Sequence, residues 1–510
     1  MNKNPSRTLT QNIGLILGPV VFMIVWWIGI FPDNWIANKM AAAALLMAVW
    51  WMTEAIPLGA TSILPIVLFP LIGVLGVKDT ARVYFSSTIF IFIGGFFVAI
   101  AMEKWNLHKR IALLIIRKIG GGQSGMIFGF MLSCMLLSMF ITNTATTIMM
   151  LPIGIALILK LEENYSKEDV HKFAVGLMLG IAYASSIGGV ATLVGTVPNL
   201  VFREIFEATF PGGPNITFAN WIMLGFPIAL TMMMIAWVVL TKIVFRSKVR
   251  LQLDKTIVEE EYKQLGKMKY EEVLVFSVLT LTALLWMFRK DIDLGLDSPI
   301  PGWSGLLPFG NMIDDGTVAV FGALLLFLIP ARDTSRSKTL LGSKDFPKIP
   351  WEIIILFGGG FALAKGFTTT GLSSEVGQFF HQFDGSEIFV LIIASCIGLT
   401  FLTELTSNTA TTQTLLPILA SIAVAMEINP MLLMIPATIS ASFAFMLPVA
   451  TPPNAIVFGS ERIRIGEMAR TGIIMNLVGV IIISSLFYLL GQFIFDIDPL
   501  VFPDWARIIK

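Results

Sequence analysis

The chain has 510 residues, of which 55% are apolar and 14% charged, and its formal net charge is +1. A soluble domain carries about 25% charged residues, so this composition indicates a polytopic membrane protein. The near-zero net charge excludes the basic surface that a nucleic-acid partner requires.

The basic residues predict the path of the first half, because positive charge in short loops marks the cytoplasmic side. Four spans bring the chain back to that side, with the N-terminus also cytoplasmic: 13–31, 40–55, 60–77 and 85–102. Residues 104–118 are predicted to form an amphipathic helix there. Residues 125–162 must then enter and leave on the same side, as a re-entrant hairpin, since Lys160 and Lys167 belong in the cytoplasm. A broken helix at 170–208 and a span at 219–245 complete this half.

The second half is predicted to repeat the first upside down and to leave the C-terminus extracellular. Its segments are spans at 270–288, 316–330 and 350–370, an amphipathic piece at 373–384, a hairpin at 387–427, a broken helix at 430–461 and a last span at 468–495. The predicted fold is therefore an all-α polytopic membrane protein with about 11 transmembrane helices and two re-entrant hairpins in an inverted repeat. The predicted divisions are 1–38, an N-terminal span, then 39–250 and 251–510, the two repeats.

Two polar motifs recur, one copy in each half, inside apolar stretches. Residues 142–147 are TNTATT and residues 407–412 are SNTATT, 265 positions apart, and both precede Leu-Pro. Residues 195–199 are GTVPN and residues 450–454 are ATPPN, 255 positions apart. Polar, helix-breaking residues are costly in a membrane unless they line a cavity or are buried in protein. Paired interruptions in two halves indicate a central binding site in a repeat-built transporter.

These paired motifs resemble those of the divalent anion/sodium symporter family, the INDY-type di- and tricarboxylate transporters. The resemblance extends from the span at 40 to that at 495. It implies a secondary active transporter in the cytoplasmic membrane for C4/C5 dicarboxylates such as succinate, malate, fumarate or 2-oxoglutarate. It also implies a homodimer in which a substrate-binding body moves against a fixed scaffold. Two positions depart from the family pattern: Thr142 replaces Ser, and Val197 replaces a common second Pro.

A dicarboxylate needs hydrogen-bond donors at both ends, and neither motif contains Arg or Lys. Asn and hydroxyl side chains donate, and the N-termini of half-helices attract anions. The half-helices are expected to begin near Ala145, Leu200, Ala410 and Ala455. The predicted substrate-binding residues are Thr142, Asn143, Thr144, Thr196, Ser407, Asn408, Thr409, Thr451 and Pro452. The alternative, that these residues only satisfy freed backbone groups at kinks, is less favoured because the motif occurs twice.

A cation site is predicted one helical turn before each hairpin motif. Ser138 precedes Thr142 by four residues and Thr403 precedes Ser407 by four, which places each pair on one helix face. A hard cation takes oxygen ligands, and the family resemblance places its sodium ions at matching positions. The candidate Na⁺ ligands are Ser138, Thr142, Asn143, Gly195, Thr403, Ser407, Asn408 and Ala450. The alternative is ordinary hydroxyl bonding to the preceding helical turn; no other cofactor is expected.

Symport and exchange are both compatible with these motifs. Thr142 is stiffer at χ1 than Ser, and Val197 frees a φ angle that Pro would fix. Both fall in the first cation cluster, so the sequence favours dicarboxylate exchange, with Na⁺-coupled symport as the alternative and an anion channel as a remoter one. An enzyme is not expected, because the spans contain no HExxH or GxSxG motif. Two charges within the spans, Glu404 and Lys365, receive no substrate role.

Overall fold

The structure is a computed structural model that describes residues 7–246, 251, 256–292, 300–378 and 387–507. Within these ranges the regular elements are helices, and two isolated β-bridges lie in the loops between them. The helices are α1 (Leu9–Ile28), α2 (Trp35–Thr53), α3 (Leu58–Ile72), α4 (Val77–Arg82), α5 (Ser87–Lys104), α6 (Leu107–Ile119), α7 (Gly122–Ser138), α8 (Asn143–Glu162), α9 (Lys167–Gly189), α10 (Val197–Thr209), α11 (Phe218–Val238), α12 (Thr256–Gln264), α13 (Tyr270–Met287), α14 (Asp315–Leu328), α15 (Trp351–Thr370), α16 (Leu372–Gln378), α17 (Ile388–Leu402), α18 (Asn408–Ala425), α19 (Met431–Ser440), α20 (Pro452–Phe458) and α21 (Ile465–Ile494). Nine helical segments of this described part are long and apolar enough to cross a membrane.

Each predicted span corresponds to a helix or a broken helix, and the differences lie at the breaks. The chain unwinds at 190–196 and 441–451, earlier than the predicted breaks at 195–199 and 451–454. Pro198 and Pro452 instead lie in the first turns of α10 and α20, where a missing N–H costs nothing. The half-helices therefore begin two to three residues before the predicted starts. Helices α4 and α12 were not predicted. The predicted amphipathic piece at 373–384 overlaps α16, and its residues 379–384 lie outside the described residues.

Long-range contacts assign the helix ends to two faces of the bundle. The ammonium of Lys104, at the end of α5, lies 2.8 Å from the Asp345 carboxylate before α15. Arg110 of α6 lies 3.0 Å from Glu272 in the first turn of α13. Several basic residues of helix ends and loops gather here, and we call this side the basic face: Lys104, Lys109, Arg110, Arg332 and Arg336.

Both helices of the α7–α8 pair contact elements of the basic face: α6 packs against α7, and α12, whose Glu261 lies 2.7 Å from Lys109, packs against α8. Trp237, near the end of α11, donates a hydrogen bond to the carbonyl of Ser124 in the first turn of α7 (2.9 Å). Glu162, the last residue of α8, contacts Arg462 before α21. This placement fits the predicted re-entrant hairpin, which, like the number of membrane crossings, stays a prediction.

The two halves of the chain interleave. Helix α5 packs against α14, and its counterpart α15 packs against α3. Two glycines 265 positions apart permit this approach: a Cβ on Gly94 would lie 2.4 Å from the Ala319 backbone, and one on Gly359 would lie 2.7 Å from the Cα of Ser62. Helix α10 packs against α18, and α20 packs against α8 and α9. Each half-helix after a break is thereby held by the hairpin of the other half.

Candidate functional site

A cavity of about 840 Å³ lies where the two hairpin tips meet the two breaks. It is lined by all nine predicted substrate-binding residues: Thr142, Asn143, Thr144, Thr196, Ser407, Asn408, Thr409, Thr451 and Pro452. Thr8, Glu54 and Pro350 also line it. Pro350 directly follows the loop that holds Asp345 on the basic face, so the cavity extends toward that face. The tertiary structure thus brings together four segments that are distant in sequence.

The two hairpin asparagines are held in the same way. The hydroxyl of Ser138 donates to Asn143 Oδ1 (2.6 Å), and the hydroxyl of Thr403 donates to Asn408 Oδ1 (2.7 Å). Ser138 and Thr403 are fully buried, whereas the asparagines reach the cavity. Within the described part of the chain, neither asparagine Nδ2 donates a hydrogen bond to protein. Each amide can therefore present its N–H groups to an anion in the cavity.

The backbone breaks are held by a second pair of asparagines, whose role sequence reasoning missed. Asn199 donates from Nδ2 to the carbonyl of Thr192 (2.7 Å), and Asn454 donates to the carbonyls of Ala444 (3.0 Å) and Leu447 (3.1 Å). Both asparagines are fully buried. Buried carbonyls freed from a helix need such donors. The signal was present, since each asparagine closes its recurring five-residue motif.

The two departures from the family pattern leave the local backbone unchanged. Thr142 caps α8 by accepting from the N–H of Ala145 (3.2 Å), with φ/ψ of −58°/143°, against −64°/134° at Ser407. Thr196, before Val197, has φ/ψ of −143°/149°, against −141°/149° at Thr451. The residue before each half-helix therefore has the same conformation in both halves, with or without the second proline.

Two glycines allow the end of α9 to approach the first hairpin tip. A Cβ on Gly189 would lie 2.6 Å from Asn143 Oδ1. A Cβ on Gly195 would lie 2.5 Å from the Gly189 carbonyl oxygen and 3.0 Å from that of Ser138. Gly195 and Ser138, predicted to share a cation site, are thus adjacent.

Glu404 supports the second break and does not line the cavity. Its Oε1 accepts from the N–H groups of Phe445 (2.7 Å) and Met446 (2.9 Å), and its Oε2 accepts from Leu447 (3.0 Å). The amide of Asn476 in α21 donates a fourth bond to Oε1 (2.7 Å). Four N–H donors and an ionised acceptor are complementary. The corresponding position in the first half is Met139, so the two breaks differ in charge.

The cavity lining carries almost no charge. Of the lining residues that the structure describes, only Glu54 is ionisable as an acid or base at neutral pH. Lys365 is exposed on α15 and does not line the cavity. Searching the described ranges finds no group of His, Cys, Asp and Glu able to hold a metal ion. Cys134 and Cys396 are buried free thiols. A cation at either predicted oxygen cluster, around Ser138–Asn143 or Thr403–Asn408, would be held by neutral oxygens.

Known sequences resemble this chain over nearly its full length. A family model described as the sodium:sulfate symporter transmembrane region matches residues 9–496. A protein of Staphylococcus saprophyticus named sodium-dependent dicarboxylate transporter SdcS is 39% identical over 504 residues, covering 97% of this chain and 94% of that protein. The protein of that name in Staphylococcus aureus strain MRSA252 is 41% identical over 503 residues, with the same coverages.

Two solved structures share the fold at low sequence identity. The Alcanivorax borkumensis YdaH transporter has a TM-score of 0.57 and 12% identity, covering 94% of this chain and 98% of that one. Neisseria gonorrhoeae MtrF, described as illuminating a class of antimetabolite efflux pumps, has a TM-score of 0.56 and 13% identity, covering 86% and 96%. At these identities the likeness concerns the fold alone.

Proposed function

Because the chain belongs to the sodium:sulfate symporter family, we propose that it couples Na⁺ entry to the uptake of a C4/C5 dicarboxylate across the cytoplasmic membrane. Two relatives are named sodium-dependent dicarboxylate transporters. The comparisons thus favour Na⁺-coupled symport, the alternative interpretation of the sequence, over exchange. The backbone angles of Thr142, and of Thr196 before Val197, match those of Ser407 and Thr451, so the two departures from the family pattern do not argue against a first cation site.

The near absence of charge in the cavity is the observation that carries the proposal. A dianion bound there would meet no Lys or Arg of the described lining, and Glu54 would add a further negative charge. An unpaired charge inside a membrane protein is costly. Two Na⁺ ions, one in the oxygen cluster of each half, would offset a dianion and make its binding depend on sodium.

Asn143 and Asn408 are proposed to clamp one carboxylate each. Their Oδ1 atoms already accept from Ser138 and Thr403, which leaves Nδ2 to donate to substrate. As the first residues of α8 and α18, they also lie where free backbone N–H groups and the helix dipole favour an anion. The remaining hydroxyls of the four motifs would complete the contacts.

Transport is proposed to proceed by elevator-like alternating access within a homodimer. The hairpins α7–α8 and α17–α18 and the broken helices α9–α10 and α19–α20 would form the substrate-binding body. Helices α2, α3, α13 and α14 would belong to the scaffold. Helices α5 and α15, which pack against α14 and α3, would belong to it as well, and α6 and α16 would link the two parts. The basic face is proposed to be cytoplasmic, because basic loops mark that side. The cavity would then face the cytoplasm in this conformation.

Uptake of labelled succinate into proteoliposomes tests the function. We expect uptake into empty liposomes when an inward Na⁺ gradient is imposed, and little uptake when K⁺ replaces Na⁺. Uptake that requires internal dicarboxylate and ignores Na⁺ would instead establish exchange. Uptake that does not saturate, and follows the gradient of substrate alone, would indicate a channel.

A further inference from the structure

Four charged side chains form a cluster on the face opposite the basic face. Arg203 of α10 contacts Asp315, the first residue of α14 (Nη1 to Oδ2, 3.0 Å). Arg289, just beyond α13, contacts the same carboxylate (Nε to Oδ1, 2.6 Å). Arg203 also contacts Glu207 one turn further along α10 (2.9 Å). The side chains of Arg203, Asp315 and Arg289 are each no more than 4% exposed, so water screens these contacts weakly.

The position of this four-charge cluster follows from the helices that carry it. Helix α13 begins on the basic face at Glu272, so Arg289, beyond its other end, lies on the opposite face. The substrate cavity extends toward the basic face. The cluster therefore closes the side of the bundle that faces away from the cavity opening.

The cluster also joins the two bodies of the proposed transport cycle, and the inference rests on that proposed function. Arg203 and Glu207 belong to α10 in the substrate-binding body. Asp315 and Arg289 belong to α14 and the end of α13 in the scaffold. The Arg203–Asp315 ion pair is the contact between side chains that crosses from one body to the other in this cluster.

When the Arg203–Asp315 contact breaks, each of the two bodies keeps one positive and one negative side chain. Arg203 retains Glu207 on its own helix, and Asp315 retains Arg289 on its own body. A buried charge that loses its only partner is strongly destabilising. Here each half stays neutral and paired, so the two bodies can separate without leaving such a charge. An isolated ion pair between the two bodies would leave both charges without partners on separation, and in this respect the cluster differs from it.

We propose that the Arg203–Asp315 contact is a latch, closed while the cavity faces the basic side and open when the substrate-binding body moves. Bistable interfaces of this kind repack salt bridges between two states. The latch sets the balance between the conformations: weakening it shifts the population away from the state described here. Glu207 and Arg289 have the opposite effect, since they stabilise the separated halves.

Thiol labelling from the basic side measures this balance. Val449 lies in the cavity and is 81% exposed, so a cysteine introduced by Val449→Cys reports the open cavity, whereas Cys134 and Cys396 are buried. A membrane-impermeant maleimide is added to vesicles on the side of the basic face. Arg203→Gln is the main variant, because Asp315 keeps Arg289 and Glu207 is 31% exposed. We expect labelling to slow at least about twofold, since its rate follows the population of this state.

Two further variants are expected not to slow labelling as Arg203→Gln does. Glu207→Gln leaves Arg203 without a partner after separation, so labelling is expected to stay at or above the rate of the parent. Asp345→Asn breaks a buried pair with Lys104 within the scaffold (2.8 Å) and is expected to label at the parent rate. Equal slowing in Asp345→Asn and Arg203→Gln, or no slowing in Arg203→Gln, overturns the latch.

Two measurements keep the test decisive if Arg203→Gln fails to fold. Asp315→Asn, made from the other body, should slow labelling in the same way. In a protein that keeps Val449, a bifunctional thiol reagent that joins cysteines placed at positions 203 and 315 should stop transport; continued transport would overturn the latch. The protein with only Val449→Cys, the parent, distinguishes failure of the latch from failure of the proposed function. If the labelling rate of the parent does not change when Na⁺ and succinate are added, alternating access itself is contradicted. If the labelling rate of the parent does change but Arg203→Gln labels as fast as the parent, the latch alone is contradicted.

Discussion

At the scale of single residues, the site is built from pairs that differ little between the halves. Ser138–Asn143 and Thr403–Asn408 have the same hydrogen bond at 2.6 and 2.7 Å. The asymmetry lies beside them, because Glu404 has no acidic counterpart at Met139. The predictions at this scale concern the clamp, the hydroxyls behind it and this glutamate.

Asn143→Ala and Asn408→Ala are each expected to reduce succinate uptake to near background. Removing a hydrogen-bond partner of a charged group costs about 1.5–3 kcal/mol, equivalent to about one to two decades in affinity. Asn220→Ala, in the first turn of α11 and outside the cavity lining, is the matched control. Proteoliposome uptake at equal protein density measures the effect; normal uptake by either cavity variant would refute its role as a clamp.

Ser138→Ala and Thr403→Val are expected to raise the Na⁺ concentration needed for half-maximal uptake. Each removes a hydroxyl oxygen from a proposed cation cluster and frees the asparagine Oδ1 it holds. Thr282→Val, at a buried hydroxyl of α13 that donates to the carbonyl of Val278, serves as control. Uptake is measured against Na⁺ at saturating succinate. A sodium dependence equal to the control would argue against these residues as ligands.

Glu404→Gln is expected to lower the free energy of unfolding by about 1–3 kcal/mol, the cost of leaving buried polar groups unsatisfied. The new amide turns an N–H group toward the donors of Phe445, Met446 or Leu447. Glu427→Gln, on an exposed residue after α18, makes the same chemical change elsewhere. Thermal unfolding in detergent compares them, and equal melting temperatures would exclude a supporting role for Glu404.

At the scale of helices, the site depends on close approaches between elements from different parts of the chain. Gly189→Ala is expected to reduce uptake strongly, because its Cβ would lie 2.6 Å from Asn143 Oδ1 at the hairpin tip and displace the amide. Gly398→Ala in α17 meets no atom within 4 Å and should transport normally. Both variants replace a helical glycine, so propensity gains cancel. Equal uptake by both would show that the tip tolerates displacement.

At the scale of the whole molecule, the substrate-binding body is expected to move relative to the scaffold during transport. The amide of Gln413 in α18 donates to the carbonyl of Leu356 in α15 (2.8 Å), so these helices are in contact in this conformation. Linking cysteines placed at 413 and 356 should block uptake, and reduction of a cleavable linker should restore it. A pair at 104 and 345, within the scaffold, is the control. Undiminished uptake after complete linking at 413 and 356 would exclude relative motion there.

The family, the long apolar helices and the four polar motifs of the cavity follow from the sequence alone. Apolar length defines spans, basic loops order them, and two motifs recurring at constant offsets mark residues that no lipid-facing helix tolerates. These signals lie in short stretches of sequence, so they can be recognised without knowing how the helices pack. All nine substrate-binding residues that they predict line the cavity.

Only the tertiary structure decided where the breaks lie and what the buried polar residues do. The supports at Asn199, Asn454 and Glu404, and the contact of Gly189 with Asn143, join residues 7 to 72 positions apart. The four-charge cluster joins residues 112 positions apart. Such contacts depend on which helices become neighbours, and an inverted repeat interleaves its halves so that neighbours in space are distant in sequence. The matching backbone angles of Thr196 and Thr451 were decided in this way as well, although Val197 follows the first residue and Pro452 the second.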